Sequence, residues 1–329
     1  MTNDAAAAWR PTCSLEMLRA RSELLQQIRQ FFLSRDFLEV ETPLLSHDSV
    51  IDRHLDPLSV TLFGDPRTPD VGKQAWLQTS PEFGMKRLLA AGAEKIFQLC
   101  KAFRGGEVGQ RHNVEFTMLE WYRVGDDYAA GRKLLADLAS EILGSDIEML
   151  TYAEAFDRYA KIDPHRASGG ELLEAARKRQ ITMPESYDDS DRDLLLELLL
   201  TELVEPHLGE SVPTILYDYP ASQAALAQVS GGVPPVAERF ELYVRGIELA
   251  NGYHELLDPQ LLRSRNQANN RARGEDGKYL LPEESRLLKA MEHGLPACSG
   301  TALGVDRLLM VKTGAAALAD VLTFPIDRA

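Results

Sequence analysis

Two alternating runs joined by a polar, glycine-rich loop constrain this chain more than any other part of it. In the first, Phe97, Leu99 and Phe103 alternate with Gln98, Cys100, Ala102 and Arg104, the period-two pattern of a strand. In the second, the same period puts Phe116, Met118, Glu120 and Tyr122 on one face and Glu115, Thr117, Leu119, Trp121 and Arg123 on the other. The pair predicts a β-hairpin with Arg104 at a strand end beside the loop. A face that carries a carboxylate and a phenol inside an apolar strand points to a pocket. Taken alone, the hairpin leaves another reading open, in which Arg104 and Glu120 form a structural ion pair in the core.

A second signature far along the chain weighs against that reading. In Gly300-Thr301-Ala302-Leu303-Gly304-Val305-Asp306-Arg307, Gly300 and Gly304 remove side chains where backbone has to approach a ligand. The residues from Val305 onward start a helix whose amino end, with Arg307, would face phosphate. Together the two signatures read as an ATP site that activates a carboxylate.

At these residues the chain resembles the class II aminoacyl-tRNA synthetases. The hairpin, from Phe103-Arg104-Gly105-Gly106-Glu107 through His112-Asn113 to Tyr122-Arg123, is similar to the family's second motif. The later signature is similar to the third, and Phe37-Leu38-Glu39-Val40-Glu41-Thr42-Pro43-Leu44-Leu45 to the first. Within the family the lysyl subclass fits. Its truncated paralogues, the elongation factor P (R)-β-lysine ligases, are resembled nearly word for word by Leu77-Gln78-Thr79-Ser80-Pro81-Glu82, Met85-Lys86-Arg87-Leu88-Leu89 and Phe97-Gln98-Leu99-Cys100. The similarity covers about residues 14–125 and 212–325.

A full lysyl synthetase carries an anticodon-reading OB-fold domain before motif 1. Here motif 1 begins near residue 37, with room before it for one helix, in which Leu18, Leu25, Ile28 and Phe32 share a face and Ser14 is the N-cap. The resemblance therefore implies an α+β fold: a class II synthetase catalytic core, with an antiparallel sheet of six or more strands flanked by helices and no anticodon-binding domain. That is unlike a Rossmann sheet. It also implies a two-fold homodimer.

Carried over position by position, the resemblance places Ser80, Pro81 and Glu82 at the amino acid, with Glu82 set to bind an ammonium group. Glu120, Tyr122, Glu255 and Ala302 line the same pocket, which suits a diamino substrate. Arg104, Asn113, Glu248, Leu249 and Gly304 match nucleotide-contacting positions, Arg111 and His112 would reach the outer phosphates, and Arg104 and Arg307 would stabilise phosphate charge during catalysis. For His112 an exposed loop residue without a role is the alternative. In Ile247-Glu248-Leu249-Ala250-Asn251-Gly252-Tyr253-His254-Glu255, two carboxylates and an amide suit a hard ion such as Mg²⁺, or equally a solvated acidic surface. The resemblance favours Mg²⁺ on Glu248 and Glu255.

Two departures matter. The family's second motif reads Phe-Arg-x-Glu, with the acid facing adenine, yet this chain has Gly106 there and Glu107 next. Either Glu107 takes over after a backbone shift, or adenine recognition is weaker. In motif 3 the full lysyl synthetases have a glycine where this chain, like the paralogues, has Ala302. A methyl group there would favour a β-amino acid over L-α-lysine. The implied activity is ATP-dependent activation of (R)-β-lysine as an acyl-adenylate and its transfer to a lysine of elongation factor P. A tRNA-aminoacylating fragment and a catalytically weak regulatory paralogue are the alternatives.

Composition agrees with a cytoplasmic enzyme. The net charge of −14 argues against an extended phosphate-backbone face, and so against stable tRNA binding. Arg263, Arg265, Arg271 and Arg273 read either as a local docking patch for the acceptor protein or as a solvated helix face. Cys13, Cys100 and Cys298 have no metal or disulfide spacing and read as small packed residues. The alanine run at 5–8 lacks the features of a signal peptide and reads as a mobile terminus. The leucine-rich run at 194–204 is too short and too acidic for a membrane span. Residues 1–329 are expected to form one domain with a helical insertion at about 145–210, in which 171–179 and 191–204 are the helical parts.

Overall fold

A computed structural model describes residues 9–184 and 187–329. The alanine run at 5–8 and the pair Glu185 and Ser186, inside the separator between two expected helices, lie outside them. The chain gathers into two units, one formed by the chain up to Gly125 together with Leu257–Ala329, the other by Asp126–Leu256.

The first unit begins with α1 (Leu15–Leu33), capped as expected by Ser14, whose hydroxyl accepts the Met17 amide at 3.1 Å. Its apolar stripe buries Leu24, Ile28, Phe31 and Phe32, while Leu18 and Leu25 flank the stripe and are half-buried. Then come β1 (Leu38–Glu39), β2 (Leu45–Ser46), β3 (Ser59–Phe63), β4 (Gly72–Leu77), α2 (Glu82–Ala90), β5 (Lys95–Phe103) and β6 (Glu115–Val124). The expected hairpin is β5 and β6, paired antiparallel from Lys95 opposite Arg123 to Phe103 opposite Glu115.

Its two faces do different things. Phe97, Leu119 and Trp121 face the core, where the Phe32 ring stacks on Phe97 at 4.8 Å and lies 5.2 Å from Trp121. The opposite face carries Gln98, Cys100, Met118, Glu120 and Tyr122.

The second unit contributes α3 (Tyr128–Leu143), β7 (Glu148–Thr151), α4 (Tyr152–Ala155), α5 (Gly169–Lys178), α6 (Arg192–Leu199), β8 (Thr214–Pro220), β9 (Val236–Val244) and β10 (Ile247–His254). Its strands run in the order β10, β9, β8, β7. The chain returns to the first unit through α7 (Pro259–Glu275), α8 (Arg286–Gly294), β11 (Cys298–Gly304) and α9 (Val305–Thr313), with strand order β1, β5, β6, β11.

The sheet architecture is mixed where the sequence implied an antiparallel one. β1 pairs parallel with β5, and β7 with β8. Parallel neighbours need a long crossover, and the helices at 152–207 are the crossover from β7 to β8. The expected insertion at 145–210 therefore contains a strand. The short 148–151 run has too few residues to show a period. The helices of this segment bury Tyr152, Phe156, Leu172, Leu195, Leu196 and Leu199 in one core with Leu216 and Tyr219 of β8 and Tyr243 of β9. Among the described residues no helix is long and apolar enough to cross a membrane.

One buried carboxylate ties the third signature to the rest of its unit. Asp306, at the start of α9, accepts the Thr117 amide of β6 at 2.7 Å and an Arg21 guanidinium of α1. Losing one partner of such a pair leaves a buried charge uncompensated. Asp306→Ala is therefore expected to cost about 3 kcal/mol in urea unfolding, and Asp306→Asn less, since it keeps an acceptor for Thr117.

Candidate active site

A row of polar and small residues runs across three strands of the first unit. Gln98 of β5 stands opposite Glu120 of β6, and Glu120 opposite Ala302 of β11, with Tyr122 opposite Gly300 and Met118 opposite Gly304. Large polar side chains on β6 are thus flanked on β11 by residues with one methyl group or none. The glycines and alanine of the third signature open the surface beside Glu120 and Tyr122.

Glu120 is fully enclosed, and its two oxygens are held separately. Ser80 donates to Oε2 at 2.6 Å and the Tyr122 hydroxyl to Oε1 at 2.6 Å. Ser80 also accepts the Glu82 amide at 3.1 Å, which fixes the first turn of α2 against the strand. Glu82 is itself buried and paired with Lys86 one turn on. Lys86, which the sequence reading gave no role, is fully buried, with its ammonium 6.0 Å from the centre of the Tyr122 ring. Its signal was the i to i+4 spacing from Glu82. Ser80, Glu82, Glu120, Tyr122 and Ala302 come together as expected. Pro81 is the N-cap of α2 and contributes no side-chain hydrogen bond there.

Burial, and next the nearby Glu82 carboxylate, push Glu120 up to about 7, while Ser80, Tyr122 and Lys86 pull the other way. Burial and the same Glu120 charge push the Cys100 thiol up to about 12, so it is a packed thiol and no nucleophile. Cys13 and Cys298 are buried and form no disulfide bond among the described residues.

A second cluster gathers the loop cations. The Arg104 guanidinium lies 5.1 Å over the Phe116 ring and 3.9 Å from Glu107. Its buried Nε has no hydrogen-bond partner among the described residues. Arg307, in the first turn of α9, donates to the Arg111 carbonyl at 3.2 Å and to Nε2 of His112 at 2.6 Å. That nitrogen must then be unprotonated, in keeping with the lowered His112 pKa caused by burial and the Arg307 charge. Glu107 reaches within 4.0 Å of the same imidazole. Gly106 has φ +77°, a left-handed conformation that a glutamate would adopt only with strain. The glycine thus goes with the shape of this turn, and the acid stands one residue later among the cations.

Asn113 spans the loop and the carboxyl-terminal segment. Its amide donates to the Glu115 carbonyl at 2.7 Å and accepts the Ile326 amide at 3.0 Å, leaving one hydrogen and one lone pair for a ligand. Gly304 is the N-cap of α9 and adds no side-chain cap, so the helix amide ends stay open.

In the second unit a bulge shapes the acidic segment. Glu248 pairs with Tyr243 and Ala250 with Leu242, so Leu249 is an extra residue in β10. Seven positions apart, Glu248 and Glu255 would face opposite sides of a regular strand. The bulge returns them to one face. Glu255 is buried and Leu249 packs in the core. Among the described residues no three His, Cys, Asp or Glu side chains gather to hold a metal, so a metal here would rest on these two carboxylates plus oxygens from elsewhere, a donor set that fits Mg²⁺.

The register puts Arg239, Glu241 and Tyr243 on that same face. Glu241 accepts hydrogen bonds from the hydroxyls of Tyr219 and Tyr243 and from Arg239. The sequence reading missed this buried network, although the polar residues alternate with Phe240, Leu242 and Val244.

The arginine cluster does not share one surface: Arg271 is exposed and Arg263 and Arg265 are half-buried, but Arg273 is not at the surface at all. Arg273 is fully buried and donates to the carbonyls of Asp52, Leu55 and Tyr279, while Arg263 is paired with Glu284 and Glu292. Burial also lowers the Arg265 pKa. Helical periodicity drawn on α7 does not reveal that its end is covered by the segment 52–57.

Because Glu120 titrates near 7 in the folded chain and lower when unfolded, the folded state binds the extra proton between those values. Stability then falls as pH rises from about 4.5 to about 7, by on the order of 3 kcal/mol in all. Glu120→Gln is expected to remove that slope, seen as urea midpoints at pH 5 and pH 8 that lie closer together than in the wild type.

Comparison with known proteins agrees with this geometry. The family described as tRNA synthetases class II (D, K and N) matches residues 3–328. Curated proteins named elongation factor P (R)-beta-lysine ligase, from Salmonella paratyphi B, Salmonella schwarzengrund and Salmonella heidelberg, are each 47% identical over 324 residues, covering 98% of this chain and 99% of theirs. The chain belongs to the class II tRNA synthetase family (D, K and N).

Proposed function

We propose that this chain is an ATP-dependent ligase that activates (R)-β-lysine and transfers it to a lysine side chain of elongation factor P. The observation that carries the reading is the buried Glu120, fixed by Ser80 and Tyr122 and set beside Glu82. A carboxylate held in this way is an acceptor for a substrate ammonium group. The near full-length similarity to proteins named for that activity supports it.

In the first step, the amino acid carboxylate attacks the α-phosphorus of ATP and the bond to pyrophosphate breaks. Arg104 and Arg307 offset the charge on the phosphates, so no protein nucleophile is needed. His112 reaches the outer phosphates together with Arg111, Asn113 and the backbone at Gly304 and Leu249 contact the nucleotide, and Glu107 stands in for the acid absent at Gly106. Glu248 and Glu255 would hold Mg²⁺, which when bound neutralises phosphate charge. In the second step, the uncharged ε-amine of the acceptor lysine attacks the acyl carbon, AMP leaves with the bonding pair, and the amine proton passes to solvent.

The whole chain acts as one catalytic domain in the cytoplasm, without stable tRNA binding and as a homodimer. Leu33, Leu38, Leu44 and Leu45, around the first motif, are exposed and apolar, which supports contact with a second copy.

Incubating the chain with elongation factor P, ATP, Mg²⁺ and (R)-β-lysine should add one β-lysyl mass to the acceptor, read by intact mass spectrometry. Failure to add it, with L-α-lysine or another amino acid supporting pyrophosphate exchange instead, would keep the chemistry and reject the substrate. Arg104→Ala and Arg307→Ala should each slow exchange by about 100-fold or more. Ala302→Gly should narrow the preference for the β-isomer in the same assay, and an unchanged ratio would remove Ala302 from the specificity argument.

A further inference from the structure

The turn that carries Arg104 is held from outside the hairpin. Its own strand contributes one bond, from the Arg104 amide to the Val114 carbonyl at 2.9 Å. The next residue, Gly105, donates its amide to the backbone carbonyl of Asp56 at 2.6 Å. A Cβ at position 105 would lie 3.2 Å from that carbonyl oxygen and 3.3 Å from Leu58, so glycine lets the two backbones approach.

Asp56 is in turn gripped by the end of α7 and the turn after it. Its carboxylate forms ion pairs with Arg273 at 2.9 Å and Lys278 at 2.9 Å. The same two cations take up the neighbouring carbonyls, Arg273 those of Asp52 and Leu55 and Lys278 that of Arg53, and the Tyr279 hydroxyl donates to Pro57. A segment without regular structure is thereby tied down by Arg273, Lys278 and Tyr279, with Asp276 adding a further pair to Arg53, and it presents one carbonyl to the turn beside Arg104.

We propose that Asp56, gripped by Arg273 and Lys278, is a positioning residue for the Arg104 turn and so sets the affinity for ATP. The inference rests on the nucleotide role given to Arg104 above. Asp56 touches no substrate. Its carboxylate fixes its own backbone carbonyl, and that carbonyl fixes the amide of Gly105.

Asp56→Asn keeps the backbone and the size of the side chain but weakens the grip of both cations. Lys278→Ala removes one cation at a half-buried position, as a milder second variant. Asp276→Asn is the control, since it breaks the Arg53–Asp276 pair on the same segment without touching Asp56. The readouts, on the full chain, are amide hydrogen exchange in peptides covering 103–107 and calorimetric binding of ATP and of (R)-β-lysine. Asp56→Asn should speed exchange at 103–107 and weaken ATP binding about tenfold, with (R)-β-lysine binding within about twofold of wild type. Lys278→Ala should do the same to a smaller extent, and the control neither. Unchanged exchange, or faster exchange with unchanged ATP affinity, would overturn the proposal. Equal weakening of both ligands would also overturn it, as a general loss of structure. If the wild type itself binds no ATP, the nucleotide reading fails together with it, an outcome distinct from a wild type that binds ATP and an Asp56→Asn variant that binds it equally well.

Discussion

A buried carboxylate that two hydroxyl groups hold in place is the constraint from which the rest of the active-site unit follows. Glu120 stands on a central strand with Ser80 on one oxygen and Tyr122 on the other. Keeping a carboxylate out of water is costly unless it is hydrogen-bonded, and here the cost shows as a pKa pushed up to about 7. The surroundings meet that demand in layers. Phe32, Phe97 and Trp121 pack the reverse face of the strand rigidly, α2 starts where Ser80 can serve both Glu120 and the Glu82 amide, and β11 supplies only small side chains beside the pair. The result is a polar surface whose carboxylates are each held in place by neighbouring side chains.

Irregular backbone does the remaining placement. Gly106 takes a left-handed conformation so that the loop can turn with Glu107 among Arg104, His112 and Arg307. The extra residue in β10 returns Glu248 and Glu255 to one face of the strand. Asp306 joins α1, β6 and α9 through one side chain, which aims the open amino end of α9 without adding a cap to it. Each device is a small local departure from regular structure that fixes a charged group.

Much of this could be read in the sequence because the decisive side chains alternate on long strands. The period of two along β6 separated Glu120 and Tyr122 from Leu119 and Trp121 correctly, and Ser14, the hairpin and the start of α9 were all visible from local chemistry. What escaped had its cause at long range. The strand at 148–151 is too short to show a period and is defined by pairing with β8. Arg273 looks like one more cation on a polar helix until Asp52, Leu55 and Asp56 are seen to cover it. Lys86 was given no role from the sequence, yet Glu82 makes it a buried partner. The pairing of Glu241 with Tyr219 needed the β8–β9 register, which no local pattern supplies.

The most direct test of the account is proton release on binding (R)-β-lysine at pH 7, measured calorimetrically in buffers of different ionisation enthalpy. Glu120, with a pKa of about 7, is protonated in roughly half of the empty molecules and must ionise to pair with an ammonium group. The account predicts release of roughly half a proton per site in the wild type, and its disappearance in Glu120→Gln together with a large loss of affinity. Equal release in the two proteins, or tight binding by the variant, would contradict it.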